Sequence, residues 1–476
     1  MSVDPASFAR RTKLVCTLGP ATVGREAELI AAGMDVARLN LSHGSRTERA
    51  VAAAAVRSAV GGAGATVAIL VDLSGPKIRT SDLAGGAIDL EAGSSLVLAA
   101  GPPTGAGTAT RVPVAYQRLA ADLQPGDRVL LGDGAVELRV ERIDGDEVRT
   151  EVVRSGTIRS RTGVSIPSER RSGGPLTARD RTDVRTLGEL SPDYVAQSFV
   201  RRPSDVAALR RLLGKGGPPI VAKIETRPAI DRFDEILAQV DGVMIARGDL
   251  GVELPFEEVP LVQKQLVRRA LDRGVPTIVA TQMLESMIAA QRPTRAEASD
   301  VANAVFDGAD AIMLSGETAI GQFPVLAADA AVRIVRHCED RGREHLPSGA
   351  APPVGSDAGS LAYAAVALAD AEAEVVAIVC YTRSGRTARV LSSLRPSVPI
   401  FAFSPDAATV SRLALVHGVV ARGLPAPVQV AQRLAALRRA LPSGAPFRSG
   451  AAVVLVASTA GEGSGPNLLE LHRLSE

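Results

Sequence analysis

The chain has 476 residues, a length that predicts about three domains. Its net charge of +2 is too balanced for nucleic acid or an anionic membrane to be its main partner, and no apolar run is long enough to span a bilayer. The polar N-terminus lacks the apolar core of a signal peptide and the three cysteines lie far apart, so we expect a reduced, cytoplasmic compartment.

Apolar runs alternate with helical patterns near the N-terminus. The runs cover residues 13–18, 35–40 and 67–72, and the helical patterns cover residues 25–32 and the Ala-rich stretch after Ser45. This alternation predicts parallel strands joined by helices.

Between residues 76 and 175 the alternation of strands and helices is replaced by short β-rich runs and turn signals. Beyond a possible turn near residues 116–123 no helix is predicted there, and we expect an inserted all-β domain. The arginines near its end form either a solvated face or a phosphate-facing one. They are Arg154, Arg159, Arg161, Arg170 and Arg171.

The alternation then resumes with five more strands, which brings the total to eight. These strands are predicted at residues 194–199, 220–225, 242–246, 277–281 and 311–315. Eight strands, each followed by a helix, close a (β/α)8 barrel. An open doubly wound sheet is the alternative, but no GxGxxG fingerprint follows the first strand.

The predicted fold is therefore α/β: a (β/α)8 TIM barrel with an inserted all-β lid domain and a C-terminal α/β domain. The expected domains are residues 1–75 and 176–345 for the barrel, 76–175 for the lid and 346–476 for the C-terminal domain. A linker is expected at residues 352–355, and a turn at residues 251–255.

Polar side chains follow strand after strand at the carboxyl end of the predicted barrel, where barrel enzymes keep their active sites. They are Arg38, Asn40, Asp72, Lys223, Glu225, Arg247, Gly248, Asp249, Thr281, Gln282, Ser315 and Glu317. Lys223 and Glu225 alone are consistent with a structural ion pair. With Asp249 on the adjacent strand, they favour a hard cation such as Mg²⁺ instead. Lys223 and Arg38 can face phosphoryl oxygens, so phosphoryl transfer is the expected chemistry.

The chain closely resembles the pyruvate kinase family over nearly its whole length. The resemblance rests on long runs such as TKLVCTLGP from Thr12, DVARLNLSHG from Asp35, MIARGDLGVELP from Met244 and GADAIMLSGETA from Gly308. The runs AKIE, ATQMLESM and RPTRAEASDVAN also match. The family fold agrees with the barrel, lid and C-terminal domain predicted above.

The resemblance implies transfer of the phosphoryl group of phosphoenolpyruvate to ADP, with the enolate then protonated to pyruvate. It assigns the following roles. Lys223 steadies the phosphoryl group, Arg38 contacts it, and Glu225 and Asp249 bind Mg²⁺ or Mn²⁺. The substrate carboxylate is held by Gly248, Asp249 and Thr281, and Thr281 is also near the protonation step. Nucleotide is bound by Asn40, His43 and Arg79, and a monovalent-cation site is lined by Asn40, Ser42, Asp72 and the Leu73 carbonyl.

Two departures from the family pattern are interpretable. Lys77 stands where many members have Glu, and since members with Lys look K⁺-independent, we expect that K⁺ is not required. The alternative is that Lys77 lies on a solvated hinge without a role. Thr162 stands where the family has a lid lysine that reaches nucleotide phosphate, which leaves Arg159 or Arg161 as substitutes.

A loop in the C-terminal domain predicts a regulatory site. It comprises Thr382, Arg383, Ser384, Gly385, Arg386 and Thr387, follows a strand and opens a helix. Its residues favour a phosphorylated effector, whereas a simple N-cap by Ser384 is the alternative.

The resemblance also implies a homotetramer. Rival functions are another Mg²⁺ barrel acting on pyruvate-like enolates, such as a class II aldolase or a phosphoenolpyruvate mutase, and a catalytically weak paralogue kept as a regulatory subunit.

Overall fold

Eight parallel strands close into a barrel in the computed structural model, as the sequence predicted. The structure describes residues 10–63, 65–101, 105–132, 134–347, 357–425, 431–441, 446–458 and 466–474. The barrel strands are Lys13–Thr17, Val36–Asn40, Ala68–Asp72, Tyr194–Gln197, Ile220–Ile224, Gly242–Ala246, Thr277–Ala280 and Ala311–Leu314. Barrel strands that follow one another along the chain pair in parallel, and the eighth strand pairs with the first.

The barrel strands are buried on both faces, which is why they are continuous apolar runs in the sequence. Their inward side chains form one cluster, and their outward side chains form the larger core beneath the helices. Leu415 of the C-terminal domain joins the inner cluster, while the hydroxyl of Tyr194 donates to the Arg412 carbonyl at 2.8 Å. The C-terminal domain thus fills the amino end of the barrel and leaves its carboxyl end open.

Helices surround the barrel. They are Glu26–Ala31, Arg46–Ala63, Ala178–Arg185, Pro203–Leu213, Arg227–Asp231, Phe233–Leu237, Arg247–Glu253, Val259–Asp272, Arg295–Asp307, Gly316–Ala319 and Pro324–Arg341, with short 3₁₀ turns at Pro20–Thr22, Leu187–Glu189, Glu285–Ile288 and Arg343–His345. Their ends follow local chemistry: Thr294 and Glu297 form a capping box, and Gly308 ends the same helix with φ of 94°. The connection between the fifth and sixth barrel strands contains two short helices on either side of Arg232.

The inserted domain, called the lid below, is built from β-strands in its described residues. Seven strands form one sheet and two form another, around a core of their own. The first sheet, in spatial order, contains Ile78–Arg79, Gly163–Ser165, Arg128–Leu131, Val136–Asp144, Glu147–Arg154, Ser95–Ala100 and Arg111–Val114; the second contains Ala87–Leu90 and Gly156–Arg159. The residues near 117–121 form turns, as expected.

The C-terminal domain has a five-stranded sheet in which only the last strand is antiparallel. Its strands, in spatial order, are Val419–Gly423, Ile400–Ser404, Val375–Tyr381, Ala452–Ala457 and Leu468–Arg473, and its helices are Asp357–Ala371, Arg386–Ser393, Ala407–Arg412, Leu413–Leu415 (3₁₀) and Ala431–Ala440. The linker predicted at residues 352–355 lies outside the described residues. None of the described helices has the length and apolarity needed to cross a membrane.

Candidate active site

A cleft of about 150 Å³ opens at the carboxyl ends of the barrel strands, beside the lid. It collects nearly all of the side chains proposed from the sequence. Those that line it are Arg38, Asn40, Ser42, His43, Asp72, Leu73, Lys77, Arg79, Lys223, Glu225, Asp249 and Thr281. Gly248 adjoins the cleft through a hydrogen bond to Thr281.

Lys223 and Glu225 lie on the same side of the fifth barrel strand, because side chains alternate along a strand. The Lys223 ammonium lies 2.8 Å from Glu225 Oε1 and 3.6 Å from Asp72 Oδ2. Burial alone would lower the pKa of Lys223, but the charges of Asp72 and Glu225 raise it above its usual value. Lys223 is therefore a fixed positive charge at the floor of the cleft.

The two oxygens of Glu225 have different surroundings. Its Oε2 accepts a hydrogen bond from the Phe199 backbone at 2.7 Å, whereas its buried Oε1 has only the ion pair with Lys223 and no hydrogen-bond partner among the described residues. Burial raises the pKa of Glu225, and the Lys223 charge offsets part of that effect. Asp249 is close enough to raise the same pKa further.

The two carboxylates fit a hard divalent cation that keeps few protein ligands. No group of three or more His, Cys, Asp or Glu side chains in the described part of the chain is arranged to hold a metal. A cation on Glu225 and Asp249 would need water or substrate oxygens to complete its shell.

Arg38 and Asp72 form a buried charged pair on adjacent strands. Arg38 Nε and Nη2 lie 2.9 and 2.8 Å from Asp72 Oδ2, and Arg38 Nη1 donates to Thr17 Oγ1 at 2.9 Å. These contacts hold the guanidinium in one orientation at the edge of the cleft.

Thr281 has a strained backbone at the end of the seventh strand. Its φ is 72°, a left-handed value that is unusual for a β-branched residue and typical of functional sites. Its hydroxyl accepts from the Gly248 N–H at 2.7 Å, while its carbonyl accepts from Arg247 at 2.6 Å. Arg247 is itself paired with Asp300 at 2.6 Å. These contacts keep Thr281 and Gly248 side by side.

The turn predicted at residues 251–255 is wrong. Residues Arg247–Glu253 form a short helix, so Gly248 and Asp249 lie in its first turn and not ahead of a turn. Two glycines in seven residues hide the helical pattern from sequence reasoning.

His43 and Arg79 lie at the lid side of the cleft. Burial lowers the pKa of His43, and the neighbouring charges of Arg79, Arg38 and Lys77 lower it further. Burial and the neighbouring charges thus disfavour protonation of His43, and the cluster of cations around it suits a polyanionic ligand.

Thr162 has a structural role in the lid. Its hydroxyl accepts from the Arg159 N–H at 3.0 Å and donates to the Arg159 carbonyl at 2.7 Å, which closes the turn between them. Arg161, the possible substitute for the missing lysine, forms a 3.0 Å ion pair with Asp82 on the lid surface. Among the other arginines near the end of the lid, Arg171 lies between the rings of Tyr116 and Phe199. Arg171 therefore does not belong to a solvated face of arginines.

Lys77 is partly exposed, but its ammonium has a partner in the barrel. Its ammonium lies 3.6 Å from Asp249 Oδ1, although a third of the side chain is exposed. The oxygens of the expected monovalent-cation site already accept hydrogen bonds: Asn40 Oδ1 from the Ser42 N–H at 3.0 Å, and the Leu73 carbonyl from the Ser198 hydroxyl at 2.8 Å.

Sequence reasoning missed Ser198. Its hydroxyl accepts from Lys223 Nζ at 2.9 Å and donates to the Leu73 carbonyl, so it links the cationic floor of the cleft to the third strand. The signal was available, because Ser198 follows the fourth strand at the level where polar residues follow its neighbours. Ser74, whose buried hydroxyl has no partner among the described residues, was also missed.

Glu317, in contrast, has a structural role. Its buried carboxylate accepts backbone hydrogen bonds from Leu284 at 2.9 Å and Ser315 at 2.7 Å, which ties together the loops after the seventh and eighth strands.

The loop at residues 382–387 lies in the C-terminal domain and outside the cleft. Gly385, with φ of 77°, is the N-cap residue of helix Arg386–Ser393, and no side chain caps that helix. The alternative N-cap role for Ser384 is therefore wrong. Ser384 and Arg386 are exposed, and Thr382 is buried.

Comparisons with known proteins cover the chain almost end to end. The family model for the pyruvate kinase barrel domain matches residues 9–328, and the model for the pyruvate kinase alpha/beta domain matches residues 359–472. A pyruvate kinase of Mycobacterium tuberculosis is 41% identical over 478 residues, which is 98% of this chain and 99% of that protein. Pyruvate kinases of Bacillus licheniformis and Corynebacterium glutamicum are 41% and 40% identical, over 97% and 98% of this chain and 80% and 98% of their own lengths.

Proposed function

Because the chain belongs to the pyruvate kinase family, we propose that the cleft at the carboxyl end of its barrel is where its phosphoryl transfer takes place. The reaction is that of the family: the phosphoryl group of phosphoenolpyruvate passes to ADP, giving pyruvate and ATP. The observation that carries the assignment to this cleft is the buried Lys223 ammonium, aligned with Glu225 and Asp72 at the strand ends.

Lys223 and Arg38 bind the phosphoryl group. Both are fixed by existing contacts, Lys223 by Ser198 and Glu225, and Arg38 by Asp72 and Thr17. These two positive charges are already oriented, so they need not reorganise when negative charge shifts toward the bridging oxygen, which is the leaving oxygen. They therefore stabilise the transition state more than the ground state.

Glu225 and Asp249 hold Mg²⁺ or Mn²⁺. When bound, such a cation neutralises phosphoryl and carboxylate oxygens of the substrate. Glu225 Oε1 supports this assignment, because it is paired with Lys223 and accepts no hydrogen bond from the described residues.

The substrate carboxylate is held by the N–H groups of Gly248 and Asp249, with the Thr281 hydroxyl beside them. The hydrogen bond from the Gly248 N–H to the Thr281 hydroxyl supports this arrangement, because it keeps that hydroxyl beside the first turn of helix Arg247–Glu253. Thr281 is then also placed to deliver or relay the proton that converts the enolate to pyruvate. Asn40, His43 and Arg79 bind the phosphates of ADP on the lid side.

K⁺ is not required for activity in this proposal. Lys77 already supplies a positive charge in the cleft, and the Asn40 and Leu73 oxygens that would bind K⁺ accept hydrogen bonds from the protein. Asn40, Ser42, Asp72 and Leu73 then serve to shape the cleft.

The loop comprising Thr382, Ser384, Gly385, Arg386 and Thr387 binds a phosphorylated effector. Exposed hydroxyl and guanidinium groups next to a helix N-terminus suit a phosphate. We further propose a homotetramer, as the family resemblance implies, with domain boundaries near residues 75, 175 and 345.

An assay of the purified full-length chain tests the function. Pyruvate and ATP formation are followed separately with phosphoenolpyruvate, ADP and Mg²⁺. Equal amounts of both products, dependent on ADP, are expected. Phosphonopyruvate formed without ADP would favour a mutase-like enzyme, pyruvate released only when an aldol substrate is supplied would favour an aldolase-like enzyme, and no product with retained ligand binding would favour a regulatory paralogue.

A further inference from the structure

The two proposed metal ligands are each paired with an ammonium group of the protein. Glu225 Oε1 lies 2.8 Å from Lys223 Nζ, and Asp249 Oδ1 lies 3.6 Å from Lys77 Nζ. The charges of these four side chains sum to zero. A divalent cation therefore enters a site whose negative charge the protein has already balanced, and at least one ammonium must move away from the carboxylates.

The two ammonium groups differ in how firmly they are held. Lys223 has 12% of its side chain exposed and contacts Ser198 and Asp72 in addition to Glu225. Lys77 has 38% exposed, and within the described part of the chain its ammonium is paired with Asp249 alone. Removing Lys223 from its place breaks three contacts, whereas removing Lys77 breaks one. Lys77 is the group that can yield to a metal ion.

Lys77 lies at the start of the lid. Its N–H donates to the Gly75 carbonyl at 2.9 Å, and the next two residues, Ile78–Arg79, pair with lid strand Gly163–Ser165. Lys77 and Asp249 line both the main cleft and a second cavity between lid and barrel. The Lys77–Asp249 pair thus spans the boundary between lid and barrel at the mouth of the metal site.

We propose that Lys77 is a displaceable internal counter-ion of Asp249. In the metal-free protein its ammonium holds the Asp249 carboxylate; a divalent cation displaces it, and the freed ammonium turns to the anionic ligand in the cleft. This inference rests on the proposed assignment of Glu225 and Asp249 as metal ligands. It makes Lys77 a positioning residue that sets metal affinity, because the metal competes with an ion pair for the same carboxylate.

Mn²⁺ binding to the full-length protein tests this, measured by electron paramagnetic resonance of free Mn²⁺ without substrate or nucleotide. Lys77→Met is expected to bind Mn²⁺ roughly two- to fivefold more tightly than wild type, the range expected for loss of a competing, partly exposed ion pair. Lys77→Arg keeps the ion pair and should retain wild-type affinity. The matched control is Arg79→Met, which removes the same charge from the same cleft without touching Asp249, and should change affinity less than twofold.

Unchanged or weaker Mn²⁺ binding by Lys77→Met would overturn the inference, as would an equal gain in Arg79→Met, which would indicate general electrostatics. Asp249→Asn separates this failure from that of the metal assignment. If Asp249→Asn binds Mn²⁺ like wild type, the metal assignment fails and the inference with it. If Asp249→Asn loses affinity while Lys77→Met is unchanged, only the counter-ion role fails. Circular dichroism melts of each variant establish that it is folded.

Discussion

The buried carboxylate of Asp180 accepts a hydrogen bond from the N–H of Gly75 at 3.1 Å, although the two residues are 105 positions apart. The same carboxylate accepts from the N–H and hydroxyl of Thr177 at 2.8 and 2.7 Å. Gly75 lies where the chain leaves the barrel for the lid, and Thr177 lies where it returns. One side chain therefore ties both connections of the lid to the barrel.

Asp180→Asn should loosen these connections, because an amide cannot accept all three hydrogen bonds. Each lost bond to a buried charged group costs about 1.5–3 kcal/mol. Under the proposal that the lid side of the cleft binds ADP, we expect the KM for ADP to rise roughly three- to tenfold, with a smaller change in the KM for phosphoenolpyruvate. Steady-state kinetics in both substrates checks this. Asp193→Asn is the control, since Asp193 is a buried carboxylate that accepts from the Ile69 backbone at the opposite end of the barrel; an equal rise in that variant would exclude a specific hinge effect.

Thr162→Lys should lower the KM for ADP, because it restores a cation where the family has one. The gain is expected to be modest, roughly two- to fivefold, since an exposed ion pair contributes little. It is also opposed by loss of the Thr162 hydroxyl, which closes the turn at Arg159.

The competing possibility is that Arg159 or Arg161 already makes this contact. Arg161 would first have to leave Asp82. In that case Arg159→Gln or Arg161→Gln raises the KM for ADP, and Thr162→Lys has no effect. Unchanged nucleotide kinetics in all three variants would show that the lid hypothesis is wrong.

The barrel could be predicted from the sequence because its strands are buried on both faces. Such strands are unbroken apolar runs, so residues 67–72 were predicted where Ala68–Asp72 is found. The site followed from the same logic, since the carboxyl ends of parallel strands meet. Helix Ala431–Ala440 and strand Val419–Gly423 were not predicted, because short elements at the edge of a domain have a weaker hydrophobic pattern.

Long-range polar contacts could not be predicted. Asp180 is indistinguishable in sequence from an ordinary helix-capping residue, and its bond to Gly75 depends on the path of the whole lid. The pairing of Lys77 with Asp249 is of the same kind. Sequence position places such residues in the right region, but only the fold determines which charged side chains form an ion pair.

Ser384→Asp should abolish activation by a phosphorylated effector. A carboxylate beside exposed Ser384 repels phosphate at the N-terminus of helix Arg386–Ser393. The measurement is activity against a panel of sugar phosphates and nucleoside monophosphates at subsaturating phosphoenolpyruvate. The control is Ser360→Asp, on an exposed position of helix Asp357–Ala371. If a compound that activates wild type activates Ser384→Asp equally, the loop is not the effector site.

Lys77→Glu should create a K⁺ requirement. Wild type is expected to be fully active with Mg²⁺ when tetramethylammonium replaces every K⁺ and Na⁺ ion, because Lys77 supplies the charge. Replacing Lys77 with an anion removes that charge and adds a ligand for a monovalent cation, so K⁺ should stimulate the variant by roughly tenfold or more. Initial rates across a K⁺ titration check this. A wild-type enzyme that is nearly inactive until K⁺ is added would reassign Asn40, Ser42 and Asp72 as cation ligands.

The most direct test of the account is the rate of pyruvate formation by Lys223→Met under conditions that saturate wild type. Lys223 is the charge around which Glu225, Asp72 and Ser198 are arranged, and methionine keeps much of its length without the charge. Loss of a preorganised charge aimed at the transition state should reduce kcat by on the order of 10² to 10³ or more. The account predicts that loss in a variant whose melting curve shows it folded. Turnover near that of wild type in the folded variant would contradict the account.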